Sequence, residues 1–74
     1  MRMNYVYILK MDKSESFYIG STNDLKRRLG EHQDKGDFEL IYYEAYKSIK
    51  MARIREKRLK YYGSAWRGLK RRIV

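Results

Sequence analysis

Tyr18-Ile19-Gly20-Ser21-Thr22-Asn23-Asp24-Leu25-Lys26-Arg27-Arg28-Leu29-Gly30-Glu31-His32 reads as a strand ending in glycine, a short polar turn and then a helix. A glycine at a strand end lets backbone or ligand come close. Thr22, Asn23 and Asp24 each offer an N-cap oxygen to the helix, which is expected over about Asp24 to Asp34. Leu25 and Leu29 share a face at i, i+4, and Arg28 and the single histidine, His32, lie beside that stripe. A helix built only for packing would more often carry leucine or alanine there.

Working outward, Tyr5-Val6-Tyr7-Ile8-Leu9 is a strand with apolar side chains on both faces, so it is expected to be central or covered on both sides. Lys10 to Ser16 is a polar turn, and Phe17-Tyr18-Ile19 closes a hairpin that could bring Tyr7 and Tyr18 together on one face. After Gly36, Glu39 to Tyr46 forms a third strand. Ser48 caps a second helix over about Ile49 to Tyr62, with Ile49, Ala52, Glu56 and Leu59 on one face. Gly63 is placed at C′, and Ser64 caps a last helix from Ala65 to about Ile73 with Trp66 and Leu69 inward. The order is β-β-α-β-α-α: an α+β domain with a small three-stranded antiparallel sheet flanked by helices.

Seventy-four residues make one domain with a modest core. No cysteine is present, which excludes disulfides and thiolate metal sites. No run resembles a signal peptide or a membrane span, so a soluble cytoplasmic protein is expected. The net charge is +9, unevenly placed. Residues 1–46 hold seven Lys/Arg against eight Asp/Glu, whereas residues 47–74 hold eleven against one. That asymmetry points to a polyanion, nucleic acid before an acidic membrane. The stripe of Ile49, Ala52 and Leu59 is too short and interrupted for a membrane anchor.

Glu56 is the sharpest single signal. It is the only acid in residues 47–74, and it sits at an apolar-face position. An inward carboxylate is costly unless paired or bound to a cation. Two readings stay open: an ion pair with Arg53, Arg55, Lys57 or Lys60, or a ligand to a hard divalent ion. Arg28 either snorkels or holds a phosphate bidentately. His32 is a packed helix residue, a phosphate donor or a proton carrier. Tyr7 and Tyr18 are packing residues unless a cation makes one a proton carrier.

Together these pieces resemble the GIY-YIG nuclease superfamily, and most of all its small stand-alone bacterial members. The resemblance runs from Tyr5 to about Leu69. It rests on Tyr5-Val6-Tyr7 as a degenerate first tripeptide, Tyr18-Ile19-Gly20 as an intact second one, and the run from Gly20 through Arg28 to His32. Ala52-Arg53-Ile54-Arg55-Glu56-Lys57-Arg58-Leu59-Lys60 completes it. The resemblance implies metal-dependent hydrolysis of DNA phosphodiesters, as an endonuclease or structure-specific nuclease in DNA repair or recombination. It makes Glu56 the ligand of Mg²⁺ or Mn²⁺, Arg28 the scissile-phosphate residue, Tyr7 and Tyr18 the motif tyrosines, and His32 a phosphate-side or proton-transfer residue. Arg28, Arg53, Arg55, Lys57, Lys60, Arg67 and Lys70 are expected to hold nucleic acid, with specificity drawn from DNA structure or a protein partner. The alternative is a non-catalytic nucleic-acid-binding module on the same fold.

Overall fold

The computed structural model describes residues 3–12, 16–33 and 36–74. The elements are β1 (Asn4–Met11), β2 (Phe17–Thr22), α1 (Leu25–Gln33), β3 (Phe38–Tyr46), α2 (Ile49–Tyr61) and α3 (Gly63–Ile73). The sheet is antiparallel in the order β2-β1-β3, so the strand that is apolar on both faces is the central one. Val6, Tyr7, Ile8 and Leu9 are all fully buried. Burial of side chains this size contributes roughly 1.5–3 kcal/mol each.

Strand alternation divides β1 between two layers. Val6 and Ile8 face α2 and α3 and form the core with Ala52, Leu59 and Leu69, edged by Phe17, Ile19, Tyr42 and Trp66. Tyr5, Tyr7 and Leu9 face the other way, toward α1, a helix with no buried residue of its own. In β1–β3 pairing Ile8 stands opposite Tyr42 and Leu9 opposite Leu40, so Ile41 is an extra residue at a bulge. The bulge lets both Ile41 and Tyr42 pack against the core.

Three local expectations change, in β2, at Ser64 and at Ile49. β2 does not stop at the glycine but runs on through Gly20 and Ser21 to Thr22, paired with β1 throughout. The cap of α1 is Asp24, whose Oδ1 accepts from the Arg27 amide at 3.1 Å; Asp34, the expected last residue, lies outside the described residues, as do Lys13, Ser14 and Glu15 of the hairpin loop. Gly63 does stand at C′, but without the left-handed backbone that a glycine there commonly adopts. α2 ends at Tyr62, whose extended backbone (φ −112°, ψ 97°) breaks the helix without a left-handed position, and α3 begins at Gly63. With one residue between the helices, Ser64 lies inside α3, which has no side-chain cap. Ile49 is half exposed instead of inward. Ser48 does cap α2, its Oγ accepting from the Met51 amide at 3.3 Å.

Candidate active site

On the α1 face the register places Tyr7 opposite Gly20 and Leu9 opposite Tyr18, so the two tyrosines are diagonal neighbours. Their ring centroids are 6.1 Å apart. Gly20 makes this possible. A Cβ there would lie 2.6 Å from the Tyr7 hydroxyl and 2.9 Å from a Tyr18 ring carbon. One helical turn apart on α1, Arg28 and His32 reach down to the same hydroxyl. Arg28 Nε donates to Tyr7 Oη at 3.4 Å, and Tyr7 Oη lies 3.1 Å from His32 Nε2. The imidazole also stands edge-on to Tyr18 (4.9 Å) and Phe38 (6.0 Å). Burial pushes the Tyr7 pKa above its ordinary value, against the pull of the Arg28 hydrogen bond. At neutral pH Tyr7 is therefore a neutral phenol. It is fully buried, whereas Tyr18 is 37 % exposed.

Glu56 lies on the other layer. Its Oε1 accepts from Ser21 Oγ at 2.5 Å and its Oε2 pairs with Lys60 Nζ at 2.8 Å. Ser21 follows Gly20 directly, so consecutive residues of edge strand β2 support the two halves of the site from opposite faces. The halves meet around that edge. Tyr18 lies within electrostatic reach of Lys60. Arg28 lines a cavity of about 280 Å³ with Met11, Tyr18, Glu31 and His32, and a second of about 250 Å³ that contains Ser21 and Arg53. Burial alone would raise the Glu56 pKa; hydrogen bonds from Lys60 and Ser21 outweigh it and hold the carboxyl below its usual range.

The remaining basic residues are dispersed. Arg53 and Lys57 are exposed. Arg55 is turned inward, its Nε and Nη2 donating to Glu44 at 3.0 and 3.2 Å. Lys70 holds its ammonium 5.0 Å from the Phe17 ring centroid, and with Arg67 it lines a shallow hollow on α3. Sequence reasoning passed over Ser21 and Glu44. Glu44 also accepts from Tyr42 Oη and Tyr46 Oη, both at 2.6 Å. Burial, then the hydrogen bond to Glu44, push the Tyr46 pKa up to about 12. Period-two alternation past Gly20 was the available signal for Ser21, because Val6 faces both Ser21 and Glu44 across the sheet.

Chemically, the α1 layer offers an anchored guanidinium with a phenol–imidazole pair. The α2 layer offers an ionised carboxylate. Among the described residues no three His, Cys, Asp or Glu side chains cluster; Glu56 would hold a divalent cation as a single protein carboxylate, with water supplying further ligands. The donor set fits such an ion. A carboxylate has about four lone-pair sites, and Glu56 uses two.

The family profile of the GIY-YIG catalytic domain matches residues 3–67. The chain belongs to the GIY-YIG family of nuclease domains. It is 40 % identical over 63 residues to the UPF0213 protein CPE1444 of Clostridium perfringens (strain 13 / Type A), covering 73 % of this chain and 67 % of that protein. It is also similar to the solution NMR structure of the UPF0213 protein BH0048 from Bacillus halodurans. There the TM-score is 0.56 and the identity 31 %, over 78 % of this chain and 70 % of the other. The matched span of the GIY-YIG domain includes both motif strands, α1, α2 and the start of α3. Among the described residues no helix is long and apolar enough to cross a membrane.

Proposed function

We propose that the protein is a cytoplasmic, divalent-metal-dependent nuclease that hydrolyses DNA phosphodiesters, in repair or recombination, with Mg²⁺ or Mn²⁺ held at Glu56. The observation that carries this reading is the half-used Glu56 carboxylate, kept ionised and bonded to Ser21, the residue after the Gly20 on which the two motif tyrosines close. A bound divalent ion supplies positive charge against the negative charge that develops on the phosphoryl group. Arg28 supplies a second positive charge. Its Nε is anchored on Tyr7, and the guanidinium lines the cavity beside Tyr18, with Nη1 3.8 Å from Glu31. Tyr18 is the motif tyrosine that solvent reaches, so it contacts the attacking water. It takes the water's proton as its own passes to Tyr7 Oη, and Tyr7 passes its proton to His32 Nε2. Because Arg28 can only donate to Tyr7, the phenol proton is left for the imidazole. Loss of either hydroxyl breaks the relay, and Tyr7→Phe and Tyr18→Phe are each expected to lower kcat by about 10²-fold or more.

The Lys60–Glu56 ion pair favours a second reading, a binding module without catalysis, because a carboxylate that never meets a metal is stabilised by just such a pair. A cleavage assay on labelled single-stranded, duplex and branched DNA, with and without Mg²⁺ or Mn²⁺, separates the two. Metal-dependent products from wild type and none from Glu56→Ala support the nuclease. No products from wild type on any DNA that it binds would establish the module instead.

A further inference from the structure

The cavity of about 250 Å³ is lined by Asn4, Ser21, Thr22, Asn23, Arg28, Ile49, Ala52 and Arg53. Two guanidiniums, two hydroxyls and two side-chain amides meet there without a carboxylate among them. Such a lining favours an anion through its two guanidiniums and side-chain amides, the Ser21 and Thr22 hydroxyls already donating to Glu56 and to the Asp24 carbonyl. Ile49 and Ala52 form the apolar part of the wall. Ile49 is half exposed although helical periodicity would turn it inward, and a ligand in this cavity is what would cover it. Arg28 is also part of the wall of the neighbouring cavity with Tyr18 and His32. The two cavities therefore share one guanidinium, and a chain crossing Arg28 passes from one to the other.

We propose that this cavity is a backbone-phosphate subsite, in which Arg53 grips the phosphate next to the scissile one, Arg28 stands between the two phosphates, and Ile49 and Ala52 receive the sugar. The inference rests on the reading of the domain as DNA-cutting, and it assigns Arg53 a place in the substrate path that net charge alone does not give it. The two arginines come from different layers, Arg28 from α1 and Arg53 from α2, so a phosphate between them would tie both helices to one strand of DNA. Glu56 lies within electrostatic reach of Arg53, which sets this subsite beside the carboxylate.

The test is binding of labelled single-stranded and duplex oligonucleotides in EDTA, where nothing is cut, over a range of salt. Wild type is compared with Arg53→Ala, Arg53→Gln and Arg58→Ala. Arg58 is a charge-matched control, exposed on the same helix and turned about 140° from Arg53 at 3.6 residues per turn. Arg53→Ala is expected to raise Kd about tenfold and to shallow the log–log salt slope by about 1, with Arg53→Gln the same and Arg58→Ala within about twofold of wild type. Equal losses in the Arg53 and Arg58 variants would overturn the subsite and leave diffuse charge as the whole effect. Wild-type cleavage together with unaltered binding in both Arg53 variants would overturn the subsite while leaving the nuclease reading intact. The expected Arg53 loss in a protein that cuts nothing would keep the phosphate subsite and remove the nuclease.

Discussion

Glu44 and Glu56 occupy similar environments and are bonded differently. Glu44 stands opposite Val6 on β3, Glu56 bonds Ser21, which stands opposite Val6 on β2, and each links α2 to an edge strand. Their side chains are similarly exposed, 17 % and 20 %. Glu44 receives four donors: Tyr42, Tyr46 and two nitrogens of Arg55. That fills a carboxylate's lone pairs. Glu56 receives two, from Ser21 and Lys60. Burial alone would have indicated the same role for both. Counting donors separates a carboxylate that fastens a helix from one with room for a ligand. Adjacent residues, Arg55 and Glu56, thus give α2 a fully bonded clamp on β3 and a carboxylate with open sites at β2.

The comparison breaks first at Glu56 itself. Glu56→Gln is expected to lower metal-dependent cleavage by about 10³-fold or more while the melting temperature stays within a few degrees of wild type; a variant that unfolds would instead make Glu56 a second clamp. Arg28→Ala removes the positive charge nearest the scissile phosphate and should cost about 10²–10³ in kcat, again with little change in melting, since its side chain is 42 % exposed. Glu44→Gln is expected to do the reverse. Loss of a largely buried, fully bonded ion pair should cost about 2 kcal/mol and lower the melting temperature on the order of 10 °C, with cleavage per folded molecule kept within about fivefold. Gly20→Ala forces a methyl against the Tyr7 hydroxyl and the Tyr18 ring. Overpacking there should cost about 1–3 kcal/mol, and calorimetry beside kinetics would show stability and activity falling together.

The smallest effect is in pH. The folded Glu44 and Glu56 pKa values lie below the ordinary one. As pH falls below about 4.5 the unfolded chain takes up protons first, so stability present at neutral pH is lost on the acid side. Glu44→Gln should flatten that acid limb in pH-dependent melting curves. At high pH the sign reverses through Tyr46. Its folded pKa is pushed up to about 12, so its contribution is present below about pH 10 and lost as pH rises above that.

The tyrosine–arginine–histidine group was legible in the sequence because its spacing is local. Arg28 and His32 are one turn apart, and a hairpin joins Tyr7 to Tyr18. Central β1 was legible too, from its two apolar faces. The half of the site around Ser21 was not, because Gly20 was read as a strand end, and a strand that stops there loses the alternation that aims Ser21 at α2. Glu44 was illegible for another reason. Its four donors come from residues two and eleven positions away, and only the β1–β3 register puts them under α2. Arg55 reads in the sequence as a partner of Glu56 or a nucleic-acid contact, whereas its partner is Glu44, since charge in a sequence does not say with what it pairs. Gly63 stands at C′ as capping rules place it, but α3 begins there, so Ser64 lies inside that helix and not at its cap.

The most direct measurement is cleavage per folded molecule, with Mg²⁺ or Mn²⁺, for wild type, Glu56→Gln and Glu44→Gln side by side, each with its melting curve. The account predicts metal-dependent products from wild type and Glu44→Gln, none from Glu56→Gln, and a lowered melting temperature for Glu44→Gln alone. Cleavage by Glu56→Gln at the wild-type rate, or loss of activity in Glu44→Gln with melting unchanged, would contradict it.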